Sequence, residues 1–156
     1  MIADLDRYHG VVLRQILVAH GHRLNLGVVN LSGRVDAFRV EGAAFQVKHS
    51  SKRLSPWNFT YVPENLEELA ELRRAFEPVW AILVCGGDGV VGVSFEELQS
   101  IVHVGASGAA WVRVRRSRSS MYRVGGALGD LPRAKTRGVQ PFLADVFKGK
   151  TQVPSE

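Results

Sequence analysis

The residues best suited by type and spacing to bind a ligand form a basic run in the last third of the chain. Arg113 and Arg115 alternate with valines, so a β-strand would present both guanidinium groups on one face. Serines and a tyrosine separate the other arginines of the run, which are Arg116, Arg118 and Arg123. Guanidinium groups bind phosphate oxygens, so this run predicts contact with a nucleic-acid backbone. A basic edge strand that prevents sheet-to-sheet aggregation is the alternative interpretation.

A shorter basic segment, Ser50-Ser51-Lys52-Arg53, lies in a predicted loop. Lys52 and Arg53 supply charge and the serines supply hydroxyl donors, a combination that binds a backbone phosphate. A solvated polar loop is the alternative.

The charge of the whole chain is also uneven, because residues 64–110 carry two Lys or Arg against eight Asp or Glu, whereas residues 111–156 carry ten against three. Basic regions separated by an acidic one indicate a polyanionic partner.

An alternation of helices and strands must position these residues. Apolar residues at helical spacing predict a first helix, and alternating or β-branched stretches predict the strands that follow it. The predicted elements of this half are a helix over 5–20 and strands over 24–31, 34–40, 44–49 and 57–62. The second and third strands form a hairpin around Glu41-Gly42.

The second half continues the alternation. Pro63 opens a helix, and a capping box of Ser94 and Glu97 opens another. The predicted elements are a helix over 64–76, strands over 79–85 and 90–93, a helix over 94–103, strands over 111–116 and 121–124, and a short helix over 142–147. This order predicts an α/β fold with a mixed sheet and flanking helices. One domain is expected over 1–156, with a core over roughly 5–110 and a basic C-terminal extension over 111–156.

The order of the first elements resembles the core of the PD-(D/E)xK nuclease superfamily, which has a helix, a three-strand meander, a helix and a central strand. In that family a carboxylate on one strand is followed on the next strand by an acidic residue, any residue and a lysine. The matching positions here are Asp36 as the first carboxylate, Gln46 in the acidic place and Lys48 as the lysine. The resemblance covers roughly residues 5–93.

The resemblance implies metal-dependent cleavage of phosphodiester bonds with Asp36, Gln46 and Lys48 as the catalytic residues. Asp36 and Gln46 would bind magnesium together with the backbone carbonyl of Val47, because this ion prefers hard oxygen ligands. Lys48 would orient the attacking water and stabilise charge on the phosphate. Glutamine in place of the acidic residue removes one negative charge from the metal site.

The hairpin register decides whether Asp36 lies beside Lys48. With Glu41-Gly42 as a two-residue turn, Asp36 lies on the opposite face from Lys48, because a one-residue shift turns every side chain over. A three-residue turn or a β-bulge would bring the two side chains to the same face. The sequence leaves both arrangements open.

Other patterns have structural interpretations. Trp57, Phe59 and Tyr61 share one face of a strand and are expected in the core. The segment Gly86-Gly87-Asp88-Gly89 lacks the lysine of a phosphate-binding loop and is predicted to be a tight turn. Cys85 lies in a continuous apolar run, which is typical of a buried strand and an inert thiol.

Composition excludes several classes of protein. A chain of 156 residues with 46% hydrophobic and 22% charged residues is typical of a folded globular domain. The single cysteine excludes an internal disulfide and a cysteine-rich zinc site. No apolar run reaches the ~20 residues of a membrane span, and the N-terminus lacks the pattern of a secretory signal. The chain is therefore expected in the cytoplasm, away from membranes.

Three functional hypotheses follow. The first is a metal-dependent endonuclease that acts on a nucleic acid, with magnesium as its cofactor. The second is a non-catalytic nucleic-acid-binding subunit of a larger complex, and the third is a protein-interaction module. From the resemblance, a single domain with this core would dimerise to cut both strands of a duplex.

Overall fold

The computed structural model describes residues 1–31, 34–103, 108 and 110–148. Within these residues the chain has four helices and two β-sheets, which confirms the predicted α/β fold class. The helices are α1 (Asp4–His20), α2 (Pro63–Ala75), α3 (Phe95–Ile101) and α4 (Gln140–Val146). None of the described helices combines the length and the apolar character that a membrane crossing requires.

The nine strands of the described chain begin and end close to the predicted positions, apart from the last one, which is too short to predict. They are β1 (Leu26–Leu31), β2 (Arg34–Val40), β3 (Ala43–Ser50), β4 (Trp57–Tyr61), β5 (Val79–Cys85), β6 (Gly89–Ser94), β7 (Ala110–Arg115), β8 (Arg123–Gly126) and β9 (Gly129–Asp130).

Five strands form sheet A in the order β1-β2-β3-β5-β6. The first three make an antiparallel meander, β5 runs parallel to β3, and β6 returns antiparallel to β5. Sheet A is therefore mixed, as predicted. All seven residues of β5 are buried, which confirms that its apolar run is a strand covered on both faces.

The other four strands form sheet B, which is antiparallel throughout and has the order β4-β7-β8-β9. The sequence does not predict this second sheet. Strand β7 lies between β4 and β8, so it is an interior strand. The alternative in which Arg113 and Arg115 protect a sheet edge is therefore wrong, because the edges of sheet B are β4 and β9.

Sheet A separates two apolar cores. One core lies between sheet A, sheet B, α2 and α3, and it contains the aromatic side chains of Trp57, Phe59 and Tyr61, which confirms their predicted burial. The other core lies on the opposite face of sheet A under α1 and α4, with Phe45 and Phe142 at its centre.

Two local predictions concern the residues after α2. The capping box of α3 is present, because Ser94 Oγ accepts from the backbone N–H of Glu97 (3.1 Å) and the Glu97 carboxylate accepts from that of Ser94 (3.0 Å). Cys85 is fully buried, and this burial raises the pKa of its thiol far above the ordinary value. The thiol is therefore protonated and inert, as expected.

Candidate active site and the adjoining basic face

The hairpin that carries the predicted catalytic residues has a two-residue turn. Phe38 faces Phe45 across it, and Ala37 faces Gln46. Gln46 and Lys48 are two residues apart on β3 and point to the same face, toward α2 and sheet B. Between the turn and Ala37, the pairing of β2 with β3 is therefore the register expected for a two-residue turn and not that of a three-residue turn.

Strand β2 departs from this regular pairing next to Asp36. Val29 of β1 faces Ala37, yet Leu31 faces Arg34. Three steps of β2 therefore oppose two steps of β1, so β2 carries one extra residue between Arg34 and Ala37, as a β-bulge does. Bulges re-aim side chains and are frequent beside active sites. The side chain of Asp36 lies outside the described part of the structure, so its place beside Lys48 stays a prediction.

Gln46 lies in the buried layer between sheet A and α2, with 1% of its surface exposed. Its Nε2 donates to Glu68 Oε1 (2.9 Å) and to the carbonyl oxygen of Asn65 (3.4 Å). Its Oε1 is buried and accepts no hydrogen bond from the described residues. A buried acceptor without a partner costs about 1–3 kcal/mol. The cluster therefore contains an oxygen atom that a positively charged ligand would stabilise.

Lys48 is held where sheet A meets the edge of sheet B. Its Nζ donates to the carbonyl oxygen of Thr60 and to Asn65 Oδ1 (2.9 Å), and it lies 4.8 Å from the centre of the Tyr61 ring. Asn65 Oδ1 also accepts from the backbone N–H of Val62 (3.1 Å), which fixes the amide at the start of α2. The ammonium group is therefore a positive charge with a defined position.

Glu68 is a further candidate, and its role becomes apparent only in the structure. It is 8% exposed and its carboxylate reaches Gln46 from α2, whereas glutamate side chains are almost never buried unless they are paired. A signal is nevertheless present in the sequence. Asn65, Glu68, Leu69 and Leu72 follow the i, i+3, i+4, i+7 spacing of a buried helix face, so two polar residues share the apolar stripe.

The donor set of this cluster suits a hard cation. Glu68 supplies a carboxylate and Gln46 an amide oxygen without a partner, and magnesium is bound by oxygen ligands of these kinds. Among the residues that the structure describes, no three His, Cys, Asp or Glu side chains gather at one point. A cation at this place would therefore depend on the amide oxygen and on Asp36 in addition to Glu68.

The outer face of sheet B adjoins this cluster. Alternate residues of β7 point away from the core, as do their neighbours on β4 and β8. We call this surface the outer face; its residues are Asn58, Thr60, Trp111, Arg113, Arg115 and Arg123.

Two of the outer-face arginines form a like-charge pair. Arg115 and Arg123 stand directly opposite each other on β7 and β8, an arrangement that is unfavourable without an anion nearby. Asp130 accepts from Arg115 Nη2 at 3.1 Å on the exposed surface. In the described chain, Arg123 forms no ion pair. The sheet therefore presents more positive charge here than its own carboxylates neutralise.

Arg116 is used differently from the arginines of the outer face. Its Nε and Nη2 donate to the two carboxylate oxygens of Asp88 (2.8 and 2.6 Å), and Tyr122 Oη donates to the same group (2.6 Å). The hydrogen bond from Arg116 is the largest cause that holds the pKa of Asp88 below its usual value. Arg116 therefore joins the β5–β6 turn of sheet A to sheet B.

The remaining predicted binding residues lie in exposed loops. Lys52 and Arg53 are exposed after β3, and the backbone carbonyl of Lys52 accepts from Trp57 Nε1 (2.8 Å), which anchors their loop to sheet B. Arg118 is exposed between β7 and β8. Beside this loop, Arg115, Arg123 and nearby serines line an open cleft of about 780 Å³. The structure thus brings several predicted arginines to one side of sheet B.

Comparisons with protein-family models, with curated proteins and with solved structures find no match to this chain.

Proposed function

We propose that this chain is a metal-dependent nuclease that cleaves phosphodiester bonds at the cluster of Gln46, Lys48 and Glu68. The observation that carries the proposal is the buried Oε1 of Gln46, which has no partner among the described residues and belongs to an amide held 2.9 Å from a buried carboxylate. The irregular pairing between Arg34 and Ala37 supports it, because a β-bulge at Asp36 would turn that carboxylate toward the same cluster.

Each residue of the cluster would have a distinct role in cleavage. Asp36, Gln46 and Glu68 would hold magnesium, which when bound polarises a phosphate oxygen and lowers the pKa of a bound water. Lys48, fixed by Thr60 and Asn65, would stabilise negative charge that develops on the phosphate. Glu68 would restore the negative charge that glutamine at position 46 removes.

The test is cleavage of supercoiled plasmid, single-stranded DNA and RNA, each with magnesium, manganese or a chelator. We expect metal-dependent cleavage that falls at least about a hundredfold in Lys48→Ala and in Glu68→Gln, in line with the loss of one charge-stabilising group. Glu67→Gln, one residue away and exposed, and Lys148→Ala, on the surface near α4, are the matched controls and should keep wild-type rates. Cleavage that survives the first two substitutions would refute the proposal.

A nucleic-acid-binding subunit without catalytic activity is the second candidate. The observation that favours it is the near-complete burial of Gln46, which limits the access of substrate to the cluster. In that case the same samples would show salt-sensitive binding and no cleavage with any metal. Absence of both activities would favour the protein-interaction module.

A further inference from the structure

We propose that the outer face of sheet B binds a single-stranded nucleic acid and guides it to Lys48. This inference deepens the proposed function and rests on it in one respect, namely that the bound nucleic acid reaches the candidate cleavage site. The binding itself requires no metal and no cleavage.

Trp111 is the first observation. Its side chain is 45% exposed, although the other two tryptophans of the chain, Trp57 and Trp80, are 2% and 6% exposed. The guanidinium of Arg113 lies 5.4 Å from the centre of the Trp111 ring, and its Nε donates a hydrogen bond to Asn58 Oδ1 (2.9 Å) that holds it in place. An exposed indole beside an arginine is a platform on which a nucleobase stacks while its phosphate is bound.

Charge along β7 is the second observation. Trp111, Arg113 and Arg115 occupy three alternate positions on one side of the strand and span about 14 Å. At the far end, Arg115 faces Arg123 across the sheet, and phosphate groups would relieve the repulsion between them. Because β7 is an interior strand, these charges do not serve to protect an edge.

The exposed indole favours a single strand over a duplex. In a duplex the faces of the bases are covered by stacking, so an aromatic ring on an open sheet has nothing to stack on. Splayed bases of a single strand offer those faces, and stacking is tolerant of sequence. Duplex binding would use the arginines alone.

The last step connects the outer face to the candidate active site. Thr60 is the cross-strand partner of Trp111, and cross-strand neighbours have Cβ atoms about 5 Å apart. The backbone carbonyl of the same Thr60 accepts the hydrogen bond from Lys48 Nζ. A nucleic acid whose base stacks on Trp111 therefore lies one residue from the edge of sheet B at which Lys48 is held.

The experiment measures binding of a labelled single-stranded oligothymidylate, and of a DNA duplex of the same length, in the presence of a chelator. We expect the single strand to bind more tightly than the duplex and to quench the fluorescence of the exposed Trp111. Trp111→Ser should weaken binding at least about fivefold, whereas Trp111→Phe should largely restore it. Arg115→Gln should make the negative slope of log affinity against log salt shallower by about 0.7. Arg14→Gln on α1 is the exposed control and should change nothing.

Two results would overturn the proposal. One is equal or tighter binding of the duplex, and the other is an unchanged affinity in Trp111→Ser. These outcomes are distinguishable from failure of the nuclease proposal. Single-strand binding without cleavage in the presence of any metal would support the binding role of the outer face and refute the nuclease proposal. Metal-dependent cleavage with unaltered binding in the Trp111 and Arg115 variants would support the nuclease proposal and refute the binding role of the outer face.

Discussion

Glu68 and Asp88 are carboxylates that hold partner side chains in place by accepting hydrogen bonds. Glu68 accepts from the Gln46 amide within the layer under α2, and Asp88 accepts from Arg116 and Tyr122 between the two sheets. Hydrogen bonds to an ionised group are stronger than neutral ones. Each carboxylate therefore fixes the position of a partner that a functional site would use or that holds the sheets together.

Asp88 should make the stability of the protein depend on acid pH. Its pKa is lowered in the folded state, chiefly by Arg116, so its ionised form stabilises the fold fully above the unfolded-state pKa of about 4. This contribution is lost as the pH falls through the lowered folded pKa. We expect Asp88→Asn to have a lower Tm than wild type at neutral pH, and the difference to shrink in strong acid.

Thermal unfolding of both proteins from about pH 2 to pH 8 measures this difference. Gly87→Ala, which lies in the same turn as Asp88 and changes no titratable group, is the control and should differ from wild type by the same amount at every pH. A Tm difference between Asp88→Asn and wild type that stays constant across the whole range would contradict the expectation.

At the scale of elements, the β5–β6 turn is locked against the loop that carries Lys52 and Arg53. The backbone N–H of Gly86 donates to the carbonyl of Ser50 (2.8 Å), and Gly86 has a positive φ of 54°. A Cβ on Gly86 would run into the carbonyl oxygen of Lys52. The position therefore requires glycine for both backbone conformation and space.

Gly86→Ala should lower the free energy of unfolding by about 2 kcal/mol or more, because the clash is with backbone atoms and the conformation is left-handed. Gly87→Ala is a matched control in the same turn, since a Cβ at Gly87 meets nothing within 4 Å. Its effect should stay below about 1 kcal/mol. Urea unfolding of the two variants measures the difference, and equal losses would show that the close approach to Lys52 does not constrain the turn.

At the scale of the whole molecule, sheet A belongs to both cores. Trp57 lies in the core shared with sheet B, and Trp80 lies in the core under α1 and α4. Strands β3 and β5 contribute to the two cores from their opposite faces, so neither core can lose its packing while the other keeps a complete sheet. This arrangement couples the two halves of the structure.

We therefore expect a single cooperative unfolding transition. In each of two variants, one that retains only Trp57 and one that retains only Trp80, with the other tryptophans replaced by phenylalanine, the urea midpoint by fluorescence should coincide with that by far-UV circular dichroism. Midpoints that differ between the two probes would show that the cores unfold separately, and would also contradict the prediction of one domain.

Much of the local structure could be predicted from the sequence, because it depends on neighbouring residues. The apolar run of β5, the capping box of Ser94 and the turn at Glu41-Gly42 are signals of this kind. The division into two sheets could not be predicted, since nothing near β4 indicates that its partner is β7, about fifty residues further along the chain. The role of Glu68 is hard to predict for a related reason, because its partner Gln46 lies on another element.

The parallel pairing of β3 with β5 also bears on how the protein forms during its synthesis. Ala44 faces Val79 and Ser50 faces Cys85, a separation of thirty-five residues along the chain. The β2–β3 hairpin can close as soon as it leaves the ribosome, but β3 stays without its second neighbour until α2 and β5 have followed. The surroundings of Gln46 and Lys48 are therefore completed only after α2 and β5 have emerged, and a pause in translation after β4 would leave both side chains uncovered.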